Sequence, residues 1–196
     1  MSRDWGFDER ENAFIEAAVT LPPDMAKIRE LLAGGIDINR VSKSGSETLA
    51  YCILNFYGEY DGAYTRPLFW SHMREDGWVH SSYDTTHLVE MVQLFLSYSL
   101  DLSMHNGNSP LEALLFGAND ENALRAVEVL LQYGADPNVC DENGENLCDW
   151  ANREDSMVGF TWNLAYPKPG LPDYFERLCR LLAKYGGRPN SGKWPY

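Results

Sequence analysis

Residues 130–138 read Leu-Leu-Gln-Tyr-Gly-Ala-Asp-Pro-Asn. Related segments recur along the chain at residues 31–39, 95–103 and 181–190. Each segment begins with an apolar helix end and continues into a turn. Gly35, Gly134 and Gly186 can adopt the left-handed backbone conformation that closes a helix there. The chain is therefore predicted to contain repeated units, and each unit must stack on its neighbours to bury its apolar face.

Further signals mark the start of the helix that follows each turn. Gly45 lies ten residues after Gly35, and Gly144 lies ten residues after Gly134. Ser109 is followed by a proline, which is a typical opening of a helix. The order of signals is thus a helix end, a turn, a short hairpin and a new helix.

This order of signals resembles the ankyrin repeat family. The best match runs from Asn106 to Leu111, through residues 134–138, and on to Asp141–Gly144. The resemblance implies an all-α, ankyrin-type solenoid of stacked helix–turn–helix repeats with hairpin turns. It aligns Leu49, Leu111 and Cys148 at the leucine position near the start of a helix. It also implies a non-catalytic scaffold that binds through a concave face of hairpins and first helices.

We expect a single ankyrin-repeat domain over residues 1–196. Its four repeats are predicted at about residues 9–39, 40–103, 104–138 and 139–190. In the first repeat, the apolar pattern places Phe14, Ile15, Ala17, Ala18, Ile28, Leu31 and Leu32 in the core. The first and last repeats are expected to be atypical caps, and the missing hairpin before Glu9 agrees with this.

Long insertions are predicted in the second and fourth repeats, at about residues 57–86 and 152–172. Their positions in the repeat pattern place both insertions between the two helices of their repeat, so both should emerge from the same edge of the stack. Both are rich in tyrosine and tryptophan, which dominate the energetics of protein interfaces. The alternative is that these aromatic side chains fold the loops onto the helices. We expect most of them to do so, with two or three left exposed.

The second hairpin differs from the others. Only eight residues separate Ser99 from Gly107, against ten in the other hairpins. This spacing predicts that the second hairpin, or finger, is short and leaves a gap in the row of fingers around His105. Ser99 and Leu100 replace the usual Gly-Ala pair, so the preceding helix is expected to end differently there.

The composition indicates a folded, acidic domain. Hydrophobic residues make up 44% of the chain and charged residues 23%, and the formal net charge is -13. Such a charge disfavours nucleic acid and anionic membranes as partners and favours a basic protein, although it also simply keeps a protein dispersed. Neither a signal peptide nor an apolar stretch of membrane-spanning length is visible, so we expect a cytoplasmic location.

Catalytic and metal-binding patterns are weak in this sequence. Cys52, Cys148 and Cys179 lie in core-like helical patterns, whereas Cys140 lies in a hairpin and is expected to be more exposed. No cofactor motif, small-molecule site or catalytic residue is predicted. The long insertion and the first residue after it contain the histidines and aspartate of a conceivable metal or enzyme site, although their spacing fits no known ligand motif: His72, His80, Asp84 and His87.

The preferred functional hypothesis is a non-catalytic protein–protein interaction module. It would bind a basic protein through an acidic concave face and the aromatic insertions. An immunity or inhibitor protein that neutralises a basic toxin or nuclease is one alternative, and an enzyme or metal site in residues 57–86 is another. The candidate partner-binding residues are Tyr57, Tyr60, Tyr64, Trp70, Trp78, His105, Asn108, Glu112, Asp141, Glu142, Glu145, Trp150 and Trp162. Further candidates on the concave face are Arg40, Lys43, Ser46, Tyr51 and Asn143.

Overall fold

The computed structural model describes residues 6–20, 22–45, 47–58, 85–103, 109–115, 120–140, 146–149, 173–190 and 192. Its helices are α1 (Glu9–Val19), α2 (Met25–Ala33), α3 (Leu49–Gly58), α4 (Leu88–Ser97), α5 (Pro110–Leu115), α6 (Glu121–Gln132) and α7 (Tyr174–Lys184). A 3-10 turn, Thr85–His87, leads into α4, and residues 147–149 are also helical. None of the helices in these ranges is both long enough and apolar enough to cross a membrane.

Side-chain caps fix where the helices that follow a hairpin begin. Thr48, Ser109 and Asn146 each accept a hydrogen bond from the backbone N–H three residues later, at 3.1, 3.0 and 2.8 Å respectively. These caps align Ala50 with Leu111 and Cys148. The predicted alignment of Leu49 with those residues was therefore wrong by one position, because sequence similarity alone did not locate the cap.

Helices α2, α4, α6 and α7 end in the same way. The residue after the left-handed position donates to the carbonyl five residues earlier, in the pairs Ile36–Leu31, Leu100–Phe95, Ala135–Leu130 and Gly187–Leu182. Ser99 occupies the left-handed position of the second pair, with a φ of 60°, where the other turns have glycine. The expectation that α4 ends differently was therefore wrong: the serine accepts the strained conformation and the turn is unchanged.

The helices form two layers. In the inner layer, α3 lies between α1 and α5, while in the outer layer α6 lies between α4 and α7; α2 packs on α1, and α5 packs on α6. The core between the layers is apolar, and the rings of Phe14 and Phe95 meet across it with centroids 5.9 Å apart. The core residues predicted for the first repeat are all buried. The prediction of an all-α solenoid is thus confirmed.

Asparagine side chains clamp neighbouring turns together. Asn39 Nδ2 donates to Ser99 O at 2.9 Å, and Asn39 Oδ1 accepts from Asp101 N at 2.8 Å. Asn138 repeats this arrangement two interfaces further along, with Gly186 O at 3.1 Å and Arg188 N at 2.8 Å. At the interface between them the equivalent residue is Ser103, whose hydroxyl donates to Asp101 in its own turn at 2.7 Å. The clamp is therefore present at the outer interfaces and replaced at the central one.

Polar contacts also link the outer layer from helix to helix. Arg29 on α2 forms an ion pair with Glu90 on α4. The Thr85 hydroxyl, at the start of the α4 segment, donates to Asp120 at 2.6 Å. On the last helix, Lys184 pairs with Glu128 of α6 at 2.7 Å. Much of the charge on this face is thus already paired within the chain.

Candidate protein-binding surface

The first finger is a short hairpin between α2 and α3. Val41 and Thr48 form an antiparallel bridge, and Ser42 N donates to Glu47 O at 2.9 Å. At the tip, Gly45 adopts a positive φ of 78° and its N–H donates to Ser42 O, which closes the turn. The finger therefore has a fixed base and presents its polar side chains from a defined turn.

The chain before α1 supports this finger from the side. Lys43 N donates to Gly6 O at 2.8 Å, and Phe7 is buried in the core. Gly6 also has a positive φ of 74°. Residues 6–7 thus pack against the first finger and the core directly before α1.

The first finger carries mixed charge. Arg40 and Lys43 are exposed, and Glu47 is partly buried. Arg40 lies 3.7 Å from the carboxylate of Glu11, the residue that forms a capping box with Asp8 at the start of α1. The acidic character predicted for the hairpin face therefore does not extend to this finger, where two cations are exposed.

The base of the last finger is also well defined. Cys140 and Asn146 form its antiparallel bridge. Asn146 is buried: its Nδ2 donates to Arg188 O at 2.7 Å, while its Oδ1 caps residues 147–149. One amide side chain thereby ties this finger to the turn that follows α7.

Tyr57 is not available to a partner. The structure places it inside α3 with only 1% of its surface exposed, and its hydroxyl donates to Ala18 O at 2.5 Å. It satisfies a carbonyl at the end of α1 and packs edge-on against Phe56. The prediction that Tyr57 is a surface contact at the start of the insertion was wrong, and α3 extends to Gly58. Tyr51, another candidate, is also buried.

Glu112 has a structural task that was not predicted, although the Ser-x-x-Glu spacing of residues 109–112 signals it. Its carboxylate accepts from Ser109 N at 3.3 Å, and Ser109 Oγ accepts from Glu112 N at 3.0 Å. This reciprocal arrangement is a capping box at the start of α5. Glu112 is partly exposed, so its carboxylate lies at the hairpin side of the stack while it holds the helix start.

The remaining candidates lie outside the described residues. They are Tyr60, Tyr64, Trp70, Trp78, His105, Asn108, Asp141, Glu142, Glu145, Trp150 and Trp162, together with His72, His80 and Asp84 of the conceivable metal site. His87, the fourth member of that set, lies in the 3-10 turn with its Nδ1 3.2 Å from a Glu90 carboxylate oxygen. Across the part of the chain that the structure describes, no group of three or more His, Cys, Asp or Glu residues is arranged to hold a metal ion.

The cysteines lie where the helical pattern predicted them. Cys52, Cys148 and Cys179 are buried, whereas Cys140 is exposed. Burial, followed by the nearby Cys179 and Asp149, raises the pKa of the Cys148 thiol to about 12. Burial and the charge of Glu47 also raise the pKa of Cys52 well above its usual range. These two thiols therefore remain protonated at neutral pH, a state in which a thiol is a poor nucleophile.

Two exposed tyrosines were missed at the sequence level. Tyr98 is 40% exposed and Tyr133 is 64% exposed, and both lie at the end of an outer-layer helix, directly before the left-handed residue. The signal was present in the repeated segments, because a tyrosine precedes Ser99, Gly134 and Gly186 alike.

Comparisons with known proteins point to one fold. No protein-family model matches the chain, and no curated protein sequence matches it. A crystal structure of an ankyrin repeat domain from Acinetobacter baumannii AYE is similar, with 17% sequence identity and a TM-score of 0.55. The similarity covers 89% of this chain and 64% of that domain, so the chain spans somewhat less than two thirds of the other protein's length. The two-layered stack of capped helices and bridged fingers is thus the fold of an ankyrin repeat domain.

Proposed function

We propose that this chain is a non-catalytic protein–protein interaction module that binds a basic partner protein through its fingers and the inner-layer helix starts. The observation that supports it most is the construction of the fingers. The bases of the first and last fingers are fixed by backbone bridges, and the base of the last finger is held in addition by the buried side chain of Asn146. A rigid base lowers the entropy lost on binding, which favours recognition of another folded surface.

The net charge of -13 supports a basic partner. Most acidic residues in the sequences of the fingers belong to the last finger, which contains Asp141, Glu142 and Glu145. The first finger instead exposes Arg40 and Lys43. The proposed partner therefore places its basic surface against the last finger and a less basic or acidic edge against the first.

The aromatic insertions are proposed as a second contact surface. Tyr60, Tyr64, Trp70 and Trp78 belong to the larger insertion and Trp162 to the smaller one. The points at which the two insertions rejoin the helices lie close together. Thr85, at the end of the larger insertion, donates to Asp120, and the charge of Asp120 acts on Tyr174, just after the smaller insertion. This proximity supports one joint surface on the edge opposite the fingers.

Affinity capture followed by binding measurements on the purified partner would test the proposed function. The double variant Glu142→Gln/Glu145→Gln should weaken binding about tenfold or more, and the loss should shrink as salt is raised. The variant Glu30→Gln/Glu90→Gln is the charge-matched control, because these exposed residues lie on the outer-layer helices α2 and α4, away from the fingers. Equal weakening by both variants, or recovery of acidic partners alone, would contradict the proposal.

Metal analysis separates this function from the metal-site alternative. The purified chain and the variant His72→Ala/His80→Ala/Asp84→Ala should both contain only substoichiometric metal. Stoichiometric metal in the native chain that is lost in the variant would overturn the non-catalytic proposal. If the captured partner is a basic nuclease whose activity the chain blocks, the module acts as its inhibitor.

A further inference from the structure

The outer-layer helices present a row of equivalent positions along one edge of the stack. Tyr98, Tyr133 and Tyr185 each occupy the last position before a left-handed residue, and Gly34 takes the same position in the first repeat. Their backbone angles are alike, with φ between -105° and -76°. Because the backbone is the same, the Cα–Cβ bonds leave the helix ends in the same relative direction. The three tyrosines therefore form a row, one repeat apart.

At the last position of the row, a cation from the chain itself covers the ring. Lys184 Nζ lies 5.1 Å from the centroid of the Tyr185 ring, which is a cation–π distance. Glu128 completes the arrangement, since it accepts from Lys184 at 2.7 Å and from the Tyr185 hydroxyl at 3.3 Å. A tyrosine, a cation and a carboxylate thus form one cluster.

A cation also fills the first position of the row. Arg10 Nη2 donates to Gly34 O at 2.9 Å. A Cβ at Gly34 would lie only 2.9 Å from this nitrogen, so the guanidinium and a side chain at position 34 exclude each other. Both ends of the row are therefore occupied by positive groups of the chain itself.

The two central positions are open. The residue before the tyrosine, which is Lys184 in the last repeat, is Ser97 in the second and Gln132 in the third. Within the described residues, no cation is found over the ring of Tyr98 or Tyr133, and Tyr133 exposes 64% of its surface. Each ring is followed three residues later by an exposed aspartate, Asp101 or Asp136.

We propose that Tyr98 and Tyr133, with Asp101 and Asp136, are a docking site for lysine or arginine side chains of a partner protein. The partner's cations would cover the two central rings as Lys184 covers Tyr185, and the aspartates would take the place of Glu128. Asp101 accepts from Ser103 N at 2.9 Å and from the Ser103 hydroxyl at 2.7 Å, and Asp136 accepts from Asn138 N at 2.8 Å, so each carboxylate is held in position. Adjacent packed helices, and therefore neighbouring tyrosines of the row, lie roughly 8–10 Å apart. Alternate side chains of an extended segment match this spacing to within a few ångströms, so one segment of the partner can reach both rings.

A basic segment suits this site better than an apolar one. Exposed aromatic rings attract cations through their electron-rich faces, and the surrounding protein is strongly acidic. An apolar partner would have to desolvate the two aspartates without pairing them, which is unfavourable. The site lies at the ends of the outer-layer helices, so it adds a contact that the finger surface does not supply.

A fluorescein-labelled peptide of alternating arginine and glycine serves as the probe, with fluorescence anisotropy as the readout. The variant Tyr98→Leu/Tyr133→Leu should weaken binding about fivefold to thirtyfold, as expected for the loss of two exposed cation–π contacts, whereas Tyr98→Phe/Tyr133→Phe should bind within about twofold of the native chain. Neither variant changes the net charge, so general attraction of the peptide is constant. Unchanged affinity in the leucine variant, or an equal loss in the phenylalanine variant, would overturn the proposal.

A second comparison uses lysines supplied by the chain itself. The variant Ser97→Lys/Gln132→Lys should cover both open rings, as Lys184 covers Tyr185, and should weaken peptide binding. Thr20→Lys/Ala26→Lys adds the same charge at exposed positions of the first repeat and is the matched control. If the two variants weaken binding equally, only net charge matters and the proposed docking site is wrong.

This inference rests on the proposed function only for the positive charge of the partner. The finger variant Glu142→Gln/Glu145→Gln, measured with the captured partner protein, distinguishes the two. If the peptide distinguishes leucine from phenylalanine at the tyrosine row while the finger variant leaves partner binding intact, the docking site stands and the finger proposal fails. The opposite pattern leaves the fingers as the binding surface and removes the tyrosine row.

Discussion

Replacement of Asn39 by alanine tests whether side-chain amides hold neighbouring repeats together. The change removes two hydrogen bonds to the next turn, one to Ser99 O and one from Asp101 N. A hydrogen bond within a protein contributes a net of about 0.5–1.5 kcal/mol, so the pair contributes about 1–3 kcal/mol. Because Asn39 is only partly buried, water replaces part of this, and we expect Asn39→Ala to lower the free energy of unfolding by about 1–2 kcal/mol.

The chain contains its own control for this prediction. Ser103 is the equivalent residue at the central interface, and its hydroxyl is bonded within its own turn. Ser103→Ala should therefore cost less than about 0.5 kcal/mol, as most surface substitutions do. The converse change, Ser103→Asn, brings an amide to Gly134 O and Asp136 N, the groups equivalent to those that Asn39 contacts. It should stabilise the protein by about 0.5–1 kcal/mol if both bonds form.

Urea unfolding followed by far-UV circular dichroism measures these differences. A change in the midpoint at constant slope reports a change in stability, whereas a reduced slope reports loss of cooperation between repeats. Asn138→Ala should behave like Asn39→Ala, because its amide makes the same pair of bonds. Equal losses for Asn39→Ala and Ser103→Ala would refute the clamp, since both would then reflect the turn alone.

Three further substitutions probe the turns and the outer layer. Ser99→Gly should raise the free energy of unfolding by about 0.5–1 kcal/mol, because it removes the strain of a left-handed serine but adds freedom to the unfolded chain; no gain would mean that the turn is unstrained. Gly187→Ala should cost about 1–3 kcal/mol in the same assay, since its Cβ would lie 2.7 Å from Cys148 Sγ and 2.8 Å from a backbone oxygen; native stability would show that the turn can move. Glu128→Gln should cost less than about 1 kcal/mol at pH 7. The Lys184 hydrogen bond lowers the pKa of Glu128 in the folded state, so this difference should persist down to about pH 5 and vanish as the pH falls through the lowered pKa; a constant difference at all pH values would contradict the assignment.

Local signals in the sequence were sufficient to predict the helices and turns. The helix ends at Gly35, Gly134 and Gly186 follow from glycine's access to positive φ, and the buried faces of α1 and α2 follow from apolar spacing. These properties depend on residues within one turn of each other. The same local logic gave the wrong result for Ser99, because contacts from a distant residue, Asn39, help to hold that turn in place.

The errors at the candidate site have a common cause. An aromatic residue near the end of a helix can serve the core or the surface, and the sequence does not distinguish the two. Tyr57 belongs to the core because its hydroxyl reaches the carbonyl of Ala18, 39 residues earlier in the chain. Tyr133 is exposed although it lies in the most regular repeat. Burial is decided by the neighbouring repeat, and that neighbour is known only once the stack has formed.

The clamp and the tyrosine row meet in the same turn, which gives the two open positions of the row different properties. Asn39 holds both Ser99 O, next to Tyr98, and Asp101 N, so the backbone that carries the ring and its aspartate is fixed before a partner arrives. Tyr133 and Asp136 follow the central interface, where Ser103 makes no such bond across the repeats. A site that is already ordered loses less entropy on binding. Asn39 therefore acts as a positioning residue for Tyr98, and its substitution should weaken a cation bound at Tyr98 more than one bound at Tyr133.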